Sequence, residues 1–220
     1  MKREIITTAD GSKTIQIKDW QEQYHSIHGA IQEAYHVFIH TGLALFQDRD
    51  LHILEIGFGT GLNAFITLLE TEKRNLNIHY KGVEKYPVSI EEWNQLEYPT
   101  ALKATSYSRY FESMHTAAWD QNIQISPRFT LRKEQKDVKE IALVGCIDLI
   151  YFDAFGARVQ PELWTEEIFQ MMYTAMKQDG YLVTYAAKGS VRRAMLEVGF
   201  LVERLPGPPG KREMLRAKKP

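Results

Sequence analysis

The chain has 220 residues, 44% hydrophobic and 25% charged, with a formal net charge of −1, a balance that excludes a disordered or strongly polyionic chain. Its start, MKREIITTAD, has no apolar secretory core, and no run approaches the roughly 18 apolar residues of a membrane span. A cytoplasmic protein with no membrane partner is therefore expected. The lone Cys146 excludes an intramolecular disulfide and a cysteine-based zinc site, and its setting in LVGCIDLI reads as buried core.

In chain order, Ile5 and Ile6, then Ala9-Asp10-Gly11-Ser12, then Ile15 and Ile17 predict a β-hairpin turned at Asp-Gly. Residues 29–46 place Ile31, Ala34, Tyr35, Phe38, Ile39 and Leu43 on one helical face. From Leu51 onward, short apolar strands (LHILEI, NIHYKGVE, RFTLR, IDLIYFD, GYLVTYA) alternate with helices predicted at 62–70, 89–97, 136–143, 164–177 and 190–198. That alternation predicts an α/β fold, a mostly parallel twisted sheet with helices on both faces. Phe200–Leu205 and Arg212–Arg216, joined by Pro206-Gly207-Pro208-Pro209-Gly210, predict a C-terminal antiparallel strand pair. With no internal repeat or linker, residues 1–220 read as one domain, residues 1–46 forming its N-terminal hairpin and helix extension.

Three strand ends carry the candidate chemistry. Glu55-Ile56-Gly57-Phe58-Gly59-Thr60-Gly61-Leu62-Asn63 lies where a buried strand meets a helix; glycines there let backbone approach a ligand at the positive end of the helix, or serve only the turn. A dinucleotide fingerprint would need glycine or alanine at Leu62, which argues against an NAD oxidoreductase. Glu84, in Gly82-Val83-Glu84-Lys85, can accept hydrogen bonds from a ribose, although position alone reads equally as an exposed strand-end residue. Asp153 ends the fourth strand at the carboxyl edge where open α/β sheets bind ligands; the alternative is a turn cap. The seven histidines form no H-E-x-x-H, no G-x-S-x-G elbow occurs, and His36 with His40 lacks a third ligand, so no metal is expected. Residues 188–220 hold nine Lys or Arg against three Asp or Glu, which points to an anionic partner or to a solvated face.

The sequence resembles the methyltransferase half of the bifunctional bacterial enzymes that complete 5-methylaminomethyl-2-thiouridine at the tRNA wobble position. The resemblance rests on GFGTGLN (57–63), VEKYP (83–87), DAF with PELWTEEIF (153–155 and 161–169), GSVRRAMLEVGF with GKREML (189–200 and 210–215), and YHSIHGAIQEAYHVFI (24–39). It implies a Rossmann-like class I methyltransferase that takes S-adenosyl-L-methionine and methylates the amine of 5-aminomethyl-(2-thio)uridine in tRNA. The implied cofactor residues are Glu55, Gly57, Phe58, Gly59, Thr60, Gly61, Asn63, Glu84 and Lys85, with Asp153 as the acid beside the amine. Lys188, Arg192, Arg193, Lys211 and Arg212 are the expected tRNA contacts, and Trp164 or Tyr185 would wall the pocket.

Two departures stand out. Phe155-Gly156-Ala157-Arg158-Val159-Gln160-Pro161 replaces the family's F-A-P-x-x-N-P-like stretch, and the adenine-side acid is either Glu134 or Asp137. The flavin-dependent oxidase half is not in the sequence, so a separate oxidase or an upstream uridine-modifying enzyme is the expected source of the amine. Alternatives are a small-molecule N-methyltransferase or aminopropyltransferase on the same fold, and a non-catalytic, cofactor-binding RNA-interaction module. Oligomeric state is not legible.

Overall fold

The alternation of apolar strands and amphipathic segments produces the sheet it predicts. The computed structural model describes residues 2–220. Strands β1 (Arg3–Thr7) and β2 (Lys13–Ile17) form the N-terminal hairpin, and a short β3 (Glu22–Gln23), not anticipated, completes a three-stranded sheet. The helix expected over 29–46 is broken into α1 (Ala30–Ala34), a π-helical turn at Tyr35–His40 and a 3-10 turn at Leu43–Leu45. Thr41 Oγ1 donates to the Val37 carbonyl within that wider turn.

The main sheet contains β4 (Asp50–Ile56), β5 (Asn77–Glu84), β6 (Asn122–Ser126), β7 (Phe129–Gln135), β8 (Ile147–Phe152), β9 (Met176–Thr184), β10 (Leu201–Pro206) and β11 (Glu213–Lys218). Its order is β10-β11-β9-β8-β4-β5-β7-β6. Strands β7, β5, β4, β8 and β9 run parallel, while β6, β11 and β10 are antiparallel to their neighbours. The order reverses around β4, so the crevice between the carboxyl ends of β4 and β8 is the topological switch point where such sheets take ligands.

Central strands are mostly apolar because both faces are covered. In β8, Leu149 and Tyr151 pack into one core, while Ile150 and Phe152 pack into the other. The first core lies under α2 (Leu62–Glu70) and the N-terminal segment; the second lies under α6 (Glu166–Ala175) and α7 (Gly189–Glu197). Burying a side chain such as Phe152 contributes about 1.5–3 kcal/mol. Between them in sequence, α3 (Ile90–Asn94) begins with a Ser89–Glu92 capping box, followed by α4 (Tyr98–Ala101) and α5 (Ser108–Thr116).

Several expectations are corrected. Residues 136–143 are not a helix: Asp137 accepts from the Lys139 amide, Glu140 accepts from the Asp137 amide, and this short box closes one 3-10 turn at Val138–Glu140 before the chain extends. The helix placed at 164–177 ends at Ala175, because Met176 already pairs with Ile147 as β9. Cys146 is half-buried at the margin of the second core rather than inside it. Among the described residues, no helix is long and apolar enough to cross a membrane.

Candidate active site

At the carboxyl edge, the turns after β4, β5, β7, β8 and β9 surround a cavity of about 600 Å³, roofed by residues 22–28 and Glu33. That volume suits a cofactor together with the reacting part of a substrate. Gly57 sets one wall. Its φ of 86° is strained for side chains, and a Cβ there would lie 2.7 Å from the Asp153 carbonyl oxygen. The amides of Gly57 and Phe58 both donate to the Val83 carbonyl, at 3.0 and 3.1 Å, tying the loop to the end of β5. The Phe58 ring lies against Gly82 so closely that any Cβ at 82 would collide with it.

Glu84 lines the cavity and braces the loop: Oε2 accepts from the Gly59 amide at 2.9 Å and Oε1 from the Tyr86 amide at 2.8 Å. Glu134, in β7, and Asp137, at the cap of the 3-10 turn that follows, are placed differently. Glu134 points away from the cavity into Lys81, Arg132 and Lys136, whose hydrogen bonds hold its pKa down at about 2 against the opposing effect of desolvation. Asp137 lines the cavity, where the Lys139 amide and then Lys85 keep its carboxyl below the ordinary aspartate range. Lys85 and Thr60 also line it.

Three expected cofactor residues do not reach the cavity. Gly61 starts α2 behind the loop, and Glu55 and Asn63 lie beneath it. Glu55 is wholly buried, accepting from Asn63 Nδ2 at 2.9 Å and from the Tyr80 hydroxyl at 2.9 Å; desolvation raises its pKa well above the ordinary glutamate value. Asn63 Nδ2 also donates to Asp153 Oδ2 at 2.8 Å, so Glu55 acts on the cavity only through Asn63 and Asp153.

Asp153 lines the cavity floor with Oδ2 held by Asn63 and Oδ1 without a protein partner among the described residues. Burial among the cavity walls desolvates it, and this, with the charge of Glu33, keeps its pKa well above the ordinary aspartate value. Tyr185 walls the pocket beside it, with its hydroxyl donating to the Ala154 carbonyl at 2.8 Å. Trp164 does not wall it: buried in the second core, its indole Nε1 donates to the Phe155 carbonyl at 2.9 Å and pins the loop below. That divergent loop is also tied to the roof, with Phe155 edge-on to Trp20 and Tyr24 and Arg158 paired with Glu22 at 2.9 Å.

No motif in the sequence gives a site role to the roof residues Tyr24, His25, Ser26, His28 and Glu33. The available signal was Glu33, an acid on the same helical face as the buried Ala30 and Ala34. His25 meets Thr60 Oγ1 at 2.6 Å, and burial lowers its pKa to about 4, so it is neutral at physiological pH.

Of the expected cationic residues, Lys188, Arg192, Arg193 and Arg212 have no carboxylate within ion-pair distance among the described residues, whereas Arg204, Arg216 and Lys218 are paired. Lys188 follows the carboxyl end of β9, and Arg212 lies in the β10–β11 loop, so both flank the cavity edge. Lys211 turns inward onto Glu33 and Tyr185.

A glycine-cradled cavity with acids at the ends of β5 and β8 has the donors and acceptors that a nucleoside-bearing amino acid requires. A family model described as S-adenosyl-L-methionine-dependent methyltransferase matches residues 97–220. This chain belongs to that methyltransferase family. The family's cofactor is S-adenosyl-L-methionine, and the cavity lined by the Gly57–Thr60 loop, Glu84 and Asp137 has the amides and acids to hold it. A tRNA 5-methylaminomethyl-2-thiouridine biosynthesis bifunctional protein MnmC from Cupriavidus necator is 31% identical over 89% of this methyltransferase chain and 31% of its own length. One from Actinobacillus pleuropneumoniae is 28% identical over 92% of this chain and 33% of its own. The chain thus spans about a third of the length of the curated relatives it matches. The crystal structure of MnmC2 from Aquifex aeolicus superposes with a TM-score of 0.78 at 26% identity, covering 100% of this chain and 71% of that one. Spermidine synthase from Thermotoga maritima shares the fold alone, with a TM-score of 0.56 at 14% identity, over 100% of this chain and 72% of that one.

Proposed function

We propose that this methyltransferase transfers a methyl group to the amine of 5-aminomethyl-(2-thio)uridine at the wobble position of tRNA. The observation that carries the reading is Asp153: an acid on the cavity floor, fixed on one oxygen by Asn63 and open on the other, within a basic rim. The names of the MnmC relatives supply the substrate class, and Lys188, Arg192, Arg193 and Arg212, without a carboxylate partner among the described residues, supply a surface for phosphates.

When bound, S-adenosylmethionine supplies a methyl group on a cationic sulfur. Asp153 Oδ1 accepts one N–H of the acceptor amine and aims the nitrogen lone pair along the line of displacement. Methylation would exchange the S–C bond for an N–C bond and leave the nitrogen with an excess proton. Asp153, whose raised pKa makes it a better base than a solvated aspartate, is placed to take that proton. Tyr185 and Phe155 exclude water from this end. Because the reaction consumes an aminomethyl group, an upstream uridine-modifying activity must supply it.

The test is incubation of the protein with methyl-labelled S-adenosylmethionine and tRNA carrying 5-aminomethyluridine, followed by nucleoside mass analysis. The expected result is the labelled methylaminomethyl nucleoside. Cofactor binding without transfer to that tRNA would overturn the reading.

A further inference from the structure

The acceptor end of the cavity contains a second acid that the transfer step does not use. Glu33, on α1, is 7% exposed; its Oε2 accepts from the Ser26 amide at 2.8 Å, and its Oε1 pairs with Lys211 from the β10–β11 loop. The Lys211 ammonium also lies 3.9 Å from the centroid of the Tyr185 ring, whose orientation is fixed by its hydroxyl bond to Ala154. Glu33, Lys211, Tyr185 and Asp153 all line the same cavity.

This placement answers a problem posed by amine methylation. An alkylammonium has no lone pair, and carboxylates nearby stabilise that inert form. With Glu33 and Asp153 both uncompensated, the pocket would trap its substrate as a cation. The other titratable groups around Lys211 do not relieve this: His25 is neutral, Glu22 is taken by Arg158, and His28 packs on Gly210 with no anionic partner among the described residues. Lys211 is the cation that supplies the balance.

We propose that Lys211 neutralises Glu33, so that the acceptor amine meets one uncompensated carboxylate instead of two and enters the reaction in its neutral, nucleophilic form. Lys211 is then a positioning and charge-setting residue of the acceptor site and not a phosphate contact. This rests on the reading that the acceptor is an amine.

The experiment is the pH dependence of kcat at saturating tRNA for the wild type, Lys211→Met, Lys211→Arg and the double variant Glu33→Gln/Lys211→Met. S-adenosylmethionine affinity, measured by calorimetry, reports on folding. Loss of Lys211 should move the acid limb of kcat upward by about one pH unit, a fall of about tenfold at neutral pH that closes as the pH rises. The double variant should return the limb toward the wild type, and Lys211→Arg should leave it in place. A parallel loss at every pH, or a double variant that restores nothing, overturns the proposal. So does an unshifted limb with a raised KM and a shallower salt dependence, which would make Lys211 an RNA contact. Absence of transfer by the wild type itself would remove the amine reading and this inference with it; transfer by the wild type with an unshifted Lys211→Met limb removes the inference alone.

Discussion

The two ends of β8 each carry an aspartate, and the two are treated in opposite ways. Asp148, at the edge remote from the cavity, accepts from Arg49 at 2.8 Å on Oδ1, and from Lys177 and the His52 amide at 2.9 Å each on Oδ2. Asp153, at the carboxyl edge, has Asn63 on one oxygen and no protein partner on the other among the described residues. Removing a carboxylate from water is costly unless its lone pairs are satisfied, so the first acid is complete within the fold while the second is completed only by something that enters the cavity. Between these two aspartates, full partnering goes with structure and the open oxygen faces the cavity.

Asp153→Asn should break the comparison most visibly. It keeps the shape and the Asn63 contact region but loses the acceptor charge, so turnover should fall at least ~100-fold while S-adenosylmethionine affinity stays nearly unchanged. Equal losses in both, in transfer and binding assays, would move Asp153 out of the acceptor site. The same variant should be more stable. A carboxyl whose folded pKa is raised contributes stability that is present at low pH and lost as the pH rises through the folded value, and Asn removes that loss. The expected gain is about 2–4 °C in Tm at neutral pH, closing as the pH falls toward the ordinary aspartate range.

Asp148→Asn should do the reverse. Loss of its charged hydrogen bonds should destabilise the fold by about 1–3 kcal/mol in denaturant titrations, with turnover unchanged at a temperature where the variant is folded. Impaired turnover in a variant of unaltered stability would erase the distinction between the two ends. The smallest effect extends the comparison to the rim. Lys188→Ala or Arg193→Ala, which remove unpaired cations, should each reduce the slope of log tRNA affinity against log salt by about 1. Arg216→Ala removes a cation already paired with Glu203 at 2.7 Å and should leave the slope alone; identical slopes for all three would show that pairing does not sort the rim.

What could be read in advance follows a physical boundary. Apolar runs such as IDLIYF and the turn chemistry of GFGTGLN announce themselves within a few residues, because a strand buried on both faces must be apolar and a strand-to-helix turn at a ligand needs glycine. Hence β4, β5, β8, Glu84 and Asp153 were legible. The stretch from Tyr98 to Ser126 was not: α4, α5 and the edge strand β6 are short, and tertiary packing, such as His115 stacked on Trp93 at 4.7 Å, stabilises them more than their own periodicity does.

By itself, the sequence determined the parallel sheet, the glycine turn and the acids at the ends of its strands, since each depends on residues that are neighbours along the chain. The tertiary structure alone decided that Glu134 is spent on three cations while Asp137 faces the cavity, that Glu55 works beneath the loop through Asn63, and that Lys211 meets Glu33 across 178 residues. Charge pairing at that separation has no local signature; only the folded chain determines which acids are neutralised and which remain open to a ligand.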